Sequence, residues 1–231
     1  MNVLAIETSS SFLSVAAQRK DGRLAEANLK GALGHTEKLI SLTRQVLGKL
    51  HIKKGEIDLL VCGLGPGSFT GLRIGLSAAK GLVLGLKKKM AGVSSLDAIA
   101  EGVSMPSGKL AVVLDARREQ LYAGIYQFEN GKYRKVLKDS LLSFDQLIRV
   151  VNEDTIFTGN ALVTYGERIK KTLGSPAVFL KESFWYPKAT SVLKVIQKQK
   201  GKIKFLTLNQ LKPAYLRLSE AEERRKKGSS I

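Results

Sequence analysis

Cysteine and histidine are scarce in this sequence, with one Cys and two His among 231 residues. A lone Cys62 cannot form an internal disulfide, and within the apolar run 59–62 it is interpreted as a core residue. The histidines, His35 and His51, are too far apart for an HxxxH or HExxH motif. The sequence therefore predicts no zinc-type metal site, and the single thiol fits the cytosol.

Long uncharged apolar runs are also missing. No apolar run reaches the roughly 18 residues of a membrane span without a charge in it. The N-terminus has no basic region before its first apolar run, so no signal peptide is expected. With 44% hydrophobic residues, the composition is that of a globular chain. We therefore expect a cytoplasmic protein without a membrane contact.

Acidic residues are few, because 20 Asp and Glu stand against 38 Lys and Arg, which gives a net charge of +18. Such an excess favours polyanions such as RNA. Much of it lies in the runs 87–89 and 224–227, which have no interleaved aromatic residues and are expected to be solvated. Two interpretations of the charge remain open. The basic bias serves only solubility, or the chain binds RNA on its own.

The most distinctive stretch is 59–86, LLVCGLGPGSFTGLRIGLSAAKGLVLGL. Residues 59–62 predict a buried strand, and a Gly/Pro cluster then breaks regular structure. Ser68 or Thr70 can cap a long helix that runs from about Gly71. Its few polar residues fall on one narrow stripe, which predicts a helix buried nearly all round: Arg73, Ser77, Lys80 and Lys87.

Glycines inside this helix are costly, at about 1 kcal/mol each relative to Ala. Small residues allow another backbone to approach closely. Two interpretations stay open for Gly71, Gly75 and Ala78. They pack beneath the chain's own sheet, or they receive a second helix from another protein.

The loop before the helix fits no common catalytic motif. No Gly-Lys-Ser/Thr follows as in a P-loop, the third glycine of a dinucleotide fingerprint is replaced by Ser68, and Pro66 occupies the first glycine of a nucleophile elbow. A glycine loop at a helix N-terminus can still hold an anion. Gly65, Gly67 and Ser68 are the candidate anion or nucleotide contacts, and a structural turn is the alternative.

The order of predicted elements occurs twice. The first half is predicted to contain a strand at 2–7, a hairpin at 13–30, a helix at 36–50, a strand at 59–62 and a helix at 71–86. The second half is predicted to contain a strand at 110–115, a hairpin at 120–141, a helix from about 145, a strand at 155–158 and a helix at 161–173. Asp21-Gly22 and Asn130-Gly131 mark the hairpin turns. A further helix is predicted at 189–199. Two βββαβα halves are the plan of an α/β actin-like, RNase H-like (ASKHA) fold. The domains expected are 1–105 and 106–231, joined near 105–108, with a basic tail.

Three segments carry a resemblance to a known family. The run Gly65-Pro-Gly-Ser-Phe-Thr-Gly-Leu-Arg-Ile-Gly75 resembles the signature of the TsaB family, also called YeaZ. Two further segments are similar to the same family. One is Asp115-Ala-Arg-Arg118 with Tyr122, and the other is Pro213-Ala-Tyr-Leu-Arg217 followed by Ala221-Glu222. Its members are bacterial subunits of the machinery that makes threonylcarbamoyladenosine in tRNA.

This resemblance implies a non-catalytic scaffold and activator that binds TsaD and, with it, the ATPase TsaE. The assembly transfers threonylcarbamoyl to the adenosine beside the anticodon of ANN-reading tRNAs. The resemblance also implies a homodimer through the same surface, tRNA contact through the complex, and no cofactor on the isolated chain. ATP or ADP at the partner interface is a further expectation.

The helix 36–50 has an unusually wide apolar face. Leu39, Val46 and Leu50 lie within about 40° of one another. Flanking side chains widen the face to about 160°, against the roughly 100° needed to dock on one core: Leu42 on one side, and Ile40, Thr43 and Leu47 on the other. Either the helix is deeply buried in its own domain, or one flank of its apolar face contacts a partner. The resemblance favours the partner and gives these partner-binding residues: His35, Leu39, Leu42, Thr43, Val46, Leu47, Leu50, Gly71, Arg73, Gly75 and Ala78.

An independent actin-like ATPase or phosphotransferase is the competing class. It needs carboxylates for metal and glycines for close approach to phosphate. Glu7 has no adjacent glycine, and Asp115 is followed by Ala116 and two arginines. The related TsaD carries a metal-binding histidine pair on the equivalent helix, but Leu39 stands four residues after His35. We therefore expect a degenerate nucleotide site with no catalytic and no metal-binding residue.

Overall fold

The structure, a computed structural model, describes residues 1–31, 35–105, 107–152, 154–174, 177–199 and 201–217, without the side chains of His35 and Thr36. The first half contains β1 (Val3–Glu7), β2 (Phe12–Gln18), β3 (Leu24–Lys30), α1 (His35–Lys49), β4 (Leu59–Gly63), α2 (Phe69–Leu86), β5 (Lys89–Val93) and α3 (Ser95–Glu101). The second contains β6 (Gly108–Asp115), β7 (Gln120–Glu129), β8 (Lys132–Ser143), α4 (Phe144–Val150), β9 (Thr155–Thr158), α5 (Leu162–Leu173), β10 (Val178–Phe179) and α6 (Ala189–Lys198).

The two halves build two mixed sheets with the same strand order. Sheet 1 is ordered β3-β2-β1-β4-β5, and sheet 2, read in the same sense, is β8-β7-β6-β9-β10. In each sheet the first three strands pair antiparallel and the last two join in parallel. The predicted duplication and the α/β actin-like fold are confirmed. Sequence reasoning missed β5, α3 and β10, which extend each half.

Hairpin turns and caps follow the local sequence signals. Gly22 and Gly131 have positive φ values of 91° and 70°, the conformation that favours glycine at such turns. Ser143 caps α4 in a capping box with Gln146, and Ser68 caps α2 by accepting a hydrogen bond from the Gly71 N–H at 3.2 Å. Of the two caps that the sequence predicts for α2, Ser68 and Thr70, the structure has Ser68.

The helices enclose the sheets in a crossed arrangement. α1 and α2 cover one face of sheet 1, while α4 and α5 cover one face of sheet 2. The other face of sheet 1 packs against α6, and the other face of sheet 2 packs against α3. Helices of each half therefore contact the opposite sheet. The boundary between 105 and 106 stays a prediction, and Pro106 in the expected linker lies outside the described residues.

Helix α2 differs from the sequence prediction, because one of its faces is open to solvent. Exposed positions recur every three or four residues along its length: Thr70, Arg73, Ser77, Gly81, Leu84 and Gly85. The sequence predicts that the uncharged apolar residues of this helix lie in the core, but Leu84 is 62% exposed. α2 is also the one helix among the described residues that is long and apolar enough to cross a membrane, by length and composition only. Its buried face packs against sheet 1.

The lysine run 87–89 is more structured than expected from a solvated run. Lys87 ends α2 in a left-handed conformation, and the Lys88 ammonium donates a hydrogen bond to the Gly55 carbonyl at 2.6 Å. Lys89 begins β5. The run 224–227 lies outside the described residues.

Candidate functional site

A cleft of about 900 Å³ lies between the two halves. Residues 9–11 after β1, residues 67–71 at the start of α2, and residues 114–118 at the end of β6 line it. Because β1 and β6 are equivalent strands of the two sheets, their carboxyl ends face the same space. The fold thus brings together the two acids considered in the sequence, Glu7 and Asp115, at or near this cleft.

Glu7 is sealed beneath the cleft. Its side chain has no exposed surface and is not among the residues that line the cavity. One carboxylate oxygen accepts a hydrogen bond from the Ser9 N–H at 2.6 Å, and the other accepts one from the Ser95 hydroxyl at 2.9 Å. Burial raises the pKa of Glu7 above its usual value, against the lowering effect of these hydrogen bonds. Gly63 leaves the room for it, since a Cβ there would stand 1.9 Å from a carboxylate oxygen.

Asp115 lines the cleft but is engaged by its own loop. Its carboxylate accepts a hydrogen bond from the Arg117 N–H at 2.7 Å, and the Arg117 guanidinium lies 3.9 Å from the other oxygen. The Asp115 N–H donates to the Asn160 side chain at 3.0 Å. Both acids therefore already have partners within the chain.

The β6–β7 loop has a strained backbone. Three consecutive non-glycine residues, Arg117, Arg118 and Glu119, have φ values of 65°, 51° and 58°. Each such conformation costs on the order of 1 kcal/mol for an L residue with a side chain. The loop is closed by a hydrogen bond from the Ala116 N–H to the Gln120 carbonyl at 3.0 Å. It carries two arginines to the rim of the cleft.

The three predicted anion contacts have different surroundings. Gly67 and Ser68 line the cleft, whereas Gly65 is buried behind it and its carbonyl accepts a hydrogen bond from the Ser95 N–H at 2.8 Å. Gly67 must be glycine because a Cβ would lie 2.2 Å from the Ser9 carbonyl oxygen, and its φ is 159°. Anion binding at these residues stays a prediction.

The segment 213–217 spans the cleft, a contact that sequence reasoning missed. The Ala214 N–H donates to the Leu64 carbonyl at 2.7 Å, and Tyr215 stacks on Phe69 with ring centroids 4.7 Å apart. Arg73 donates to the Tyr215 hydroxyl at 3.0 Å. On the other side, the Arg217 guanidinium donates to the Ala116 carbonyl. The family-like run Pro213-Ala-Tyr-Leu-Arg217 was the only sequence signal, and it gave no location. Residues 221–222, the rest of that resemblance, lie outside the described residues.

Most of the predicted partner-binding residues of α1 lie in the chain's own core. Their side chains pack with β2 and β3 on sheet 1 and are at most 6% exposed: Leu39, Thr43, Val46, Leu47 and Leu50. Leu42 is half-buried, and Ile40, which the sequence places on one flank of the apolar face, is 43% exposed. The side chain of His35 lies outside the described part. Four of these residues belong to α1 and Leu50 follows it directly, so this face of the helix is buried in the chain's own domain. The role of the helix in partner binding stays a prediction.

The glycines of α2 fall into two classes. A Cβ at Gly71 would lie 2.0 Å from the Thr8 carbonyl oxygen, and one at Gly75 would lie 2.2 Å from the Thr8 hydroxyl. The close neighbour of these two is therefore the chain's own segment after β1. Gly81 and Gly85 have nothing within 4 Å of a Cβ. Within the chain, nothing that the structure describes accounts for those two glycines.

The exposed stripe of α2, together with the half-buried Ala78 and with Leu42 of α1, which packs against the same core, forms what we call the α1–α2 surface. It consists of Leu42, Arg73, Ser77, Ala78, Gly81, Leu84 and Gly85. Small and apolar residues dominate it, and Arg73 at one end is held by Tyr215. Of the residues predicted to bind a partner, Leu42, Arg73 and Ala78 are at least partly accessible here.

The described residues contain no group of three His, Cys, Asp or Glu side chains placed to hold a metal ion. Cys62 is buried in sheet 1, and burial together with the Glu7 charge raises the pKa of its thiol far above the usual value. Such a thiol is a packing group rather than a nucleophile.

Comparisons with known proteins agree across the chain. The family model described as "TsaD: tRNA N6-adenosine threonylcarbamoyltransferase" matches residues 30–224. The chain is 30% identical to "tRNA threonylcarbamoyladenosine biosynthesis protein TsaB" of Bacillus subtilis, over 96% of both chains. It is 37% identical to the Escherichia coli protein of the same name, over 57% of this chain and 58% of that one.

Solved structures give the same picture. "YeaZ from Pseudomonas aeruginosa" superposes with a TM-score of 0.78 at 26% identity, covering 93% of this chain and 99% of that chain. A second Pseudomonas aeruginosa structure, described as an uncharacterized protein with similarity to peptidase YEAZ, gives a TM-score of 0.82 at 25% identity, over 94% and 99% of the two chains.

Proposed function

The chain belongs to the TsaB (YeaZ) family, and from this premise we propose that it is a non-catalytic scaffold and activator in tRNA modification. Family membership supports involvement in the biosynthesis of tRNA threonylcarbamoyladenosine. The proposed role is to bind TsaD, and with it TsaE, in the assembly that transfers threonylcarbamoyl to the adenosine next to the anticodon of ANN-reading tRNAs.

The α1–α2 surface is the observation that carries the scaffold role. Gly81 and Gly85 each lower helix stability by about 1 kcal/mol relative to Ala, and no neighbour within the described chain requires them. On an exposed helix face, glycines separated by one turn allow a second helix to approach closely. Leu84, which is 62% exposed, provides apolar area for the same contact. We propose that a helix of TsaD, or of a second copy of this chain, docks here.

The state of the two acids supports a non-catalytic role. Glu7 is sealed and hydrogen-bonded by Ser9 and Ser95, while Asp115 is engaged by Arg117. Metal-dependent phosphoryl transfer needs carboxylates that can reach a cation. In the scaffold proposal these acids stabilise the loops around the cleft and take part in no reaction.

Further elements of the proposal concern ligands and location. The basic excess gives the isolated chain only weak binding to tRNA and makes its contribution within the assembly. The isolated chain binds no cofactor, and ATP or ADP binds at the interface with the partner. The protein acts in the cytoplasm, where its tRNA substrates are.

The 900 Å³ cleft favours the second candidate, an independent actin-like ATPase or phosphotransferase. One experiment separates the two functions. The purified chain is expected to co-purify with TsaD from the native cytosol, and to hydrolyse no ATP above a blank reaction with Mg²⁺ present. Steady hydrolysis that is lost in Asp115→Ala, together with failure to recover TsaD, would reject the scaffold and establish the enzyme.

A further inference from the structure

Three segments of the chain bring lysines to one end of sheet 1, which we call the basic rim. The rim consists of Lys53, Lys54, Lys87, Lys88, Lys89, Lys202, Lys204 and the aromatic residue Phe205. All of these are exposed except Lys88, which is half-buried. Lys89 pairs with Leu59, and these are the first residues of the parallel strands β5 and β4. The cleft lies at the carboxyl end of β1, which is parallel to β4, so the rim is at the opposite end of the sheet.

A hydrogen bond joins the first two of these segments. The Lys88 ammonium donates to the Gly55 carbonyl at 2.6 Å, which holds the run 87–89 against the short 3₁₀ helix Lys54–Glu56. The C-terminal end of a helix attracts cations, and α2 ends at Leu86, directly before the run. That attraction accounts for the run itself but not for the lysines of the other two segments.

The third segment adds an aromatic ring to the rim. The Leu206 N–H donates to the Met90 carbonyl at 2.9 Å, which fixes residues 202–205 beside the edge strand β5. The Lys89 ammonium lies 4.8 Å from the centroid of the Phe205 ring. Phe205 is still 45% exposed. The sequence has no aromatic residue within the lysine run, and the fold supplies one from a distant part of the chain.

The charge of the basic rim is not balanced by neighbouring acids. None of its lysines forms an ion pair with a carboxylate in the part of the chain that the structure describes. The acids of the adjoining segment, Glu56 and Asp58, accept hydrogen bonds from the backbone N–H groups of Lys53 and Asn2, at 2.8 and 2.7 Å. Like charges on one surface repel one another, and a polyanion that contacts several of them relieves the repulsion.

An RNA strand fits this rim better than an anionic membrane does. Segments that lie on a membrane present several apolar side chains along an amphipathic helix. Phe205 is the one apolar residue of the rim, and residues 202–205 lie outside the helices. A single ring among ammonium groups is instead typical of proteins that bind single-stranded nucleic acid, in which lysines contact phosphates and a base stacks on the ring.

We propose that the basic rim binds unpaired nucleotides of RNA, with its lysines on the phosphates and one base on Phe205. This proposal rests on the function in tRNA modification proposed above, and it assigns the tRNA contact to one surface of this chain. Lysine–phosphate contacts carry no sequence information and stacking tolerates every base, so binding is indifferent to sequence. The rim adjoins the C-terminal end of α2. A partner on the α1–α2 surface would therefore stand beside the rim and add contacts to the same RNA.

Fluorescence anisotropy of the full chain tests this site, with a labelled single-stranded RNA of about 12 nucleotides as the first probe. A fully paired RNA of the same length is the second probe. The double variant Lys54→Gln with Lys204→Gln is expected to weaken binding of the single strand by about tenfold. It should also reduce the slope of log affinity against log salt by about 1.4, because each phosphate contact contributes about 0.7.

The matched control for charge is Lys138→Gln with Lys171→Gln, which makes the same two changes at exposed positions of β8 and α5. It should leave the affinity and the slope unchanged, because salt at 0.1 M screens exposed charges beyond about 10 Å. Circular dichroism confirms that each variant is folded.

Phe205→Leu tests the stacking contact. Leu keeps an apolar side chain but offers no ring to a base, so we expect the affinity for the single strand to fall by at least about fivefold. The affinity for the paired RNA should stay the same, because its bases are not free to stack on the protein. Phe184→Leu is the control, since Phe184 is 39% exposed and lies outside the rim.

Several results would overturn the proposal. They are no binding of single-stranded RNA, equal weakening by the rim and control lysine variants, or an unchanged affinity of Phe205→Leu for the single strand. Tighter binding to phosphatidylserine vesicles than to RNA would assign the rim to a membrane instead.

Recovery of TsaD by the same variants separates this proposal from the proposed function. The rim variants leave the residues of the α1–α2 surface unchanged, so they should recover TsaD as the wild type does. RNA binding at the rim without recovery of TsaD by any form of the chain would count against the scaffold role and support the site. Recovery of TsaD by a wild-type chain that binds no RNA would reject the site alone.

Discussion

At the carboxyl end of β1, Glu7 is a buried acid with two hydrogen-bond donors and no solvent contact. In the unfolded chain it ionises near the ordinary glutamate pKa of 4.5, whereas burial raises the pKa in the folded chain. Folding therefore favours the protonated form. Its contribution to stability is complete below pH 4.5 and is lost as the pH rises toward the folded pKa.

Glu7→Gln should remove this pH dependence. The amide oxygen can accept the Ser9 N–H, and the amide nitrogen can donate to the Ser95 hydroxyl, so the geometry is preserved. Relative to the wild type, we expect the variant to gain stability as the pH rises above 4.5 toward the folded pKa of Glu7, measured by urea unfolding at several pH values. Glu7→Ala is the contrast, since it leaves the buried Ser9 N–H without its acceptor at a cost of about 1–3 kcal/mol. A wild-type protein that becomes more stable than Glu7→Gln with rising pH would contradict this.

At the scale of elements, α2 shows what sequence could and could not predict. Its start, its Ser68 cap and its length follow from the apolar run and the Gly/Pro break before it. Its exposed face did not follow, because the sequence marks a solvent-facing side only where a helix carries polar residues. Gly81, Leu84 and Gly85 are exposed although they carry no polar group. The pattern of apolar residues shows which face of a helix can be buried. Only the tertiary structure shows which face is buried in the folded chain.

Helices α1 and α6 show a second limit. The wide apolar face of α1 is compatible with a core or with a partner, but packing on sheet 1 buries four of its side chains and Leu50 directly after it. The crossed packing of α3 and α6 joins parts of the chain that are distant in sequence. Strand β5 was missed because it begins within a lysine run, and β10 was missed because it has two residues. Sequence reasoning predicted the cleft residues Asp115 and Ser68, which come after strands, and missed Arg217.

Two alanine substitutions in α2 should have opposite effects on stability. Gly71→Ala places a Cβ 2.0 Å from the Thr8 carbonyl oxygen, so the backbone must shift, at a cost of about 1–3 kcal/mol. Gly81→Ala meets nothing within 4 Å and should stabilise the chain by about 1 kcal/mol. Urea or thermal unfolding of the isolated chain measures both. If both variants are destabilised equally, the distinction between the two classes of glycine is wrong.

The whole molecule carries a charge of +18, spread over both halves. If this charge meets tRNA phosphates, each contact releases counter-ions, so affinity falls steeply with salt. We expect the isolated chain to bind tRNA weakly, without discrimination among tRNAs, and to lose at least about tenfold in affinity between about 50 and 200 mM salt. Filter binding with two different tRNAs measures this. Tight binding that survives high salt and distinguishes one tRNA from another would instead support a stand-alone RNA-binding protein.

The central claim is that this chain works through its α1–α2 surface, and Gly81 tests that claim most directly. Gly81→Leu keeps a good helix former on an exposed face, so the isolated chain should remain folded, but the side chain fills the space that a docking helix needs. Thr164→Leu, at an exposed position of α5, is the matched control. The measurement is the dissociation constant for TsaD, by titration of the folded variants. We predict a loss of affinity of at least about a hundredfold for Gly81→Leu and none for Thr164→Leu. Equal binding by the wild type and both variants would show that TsaD does not bind at this surface.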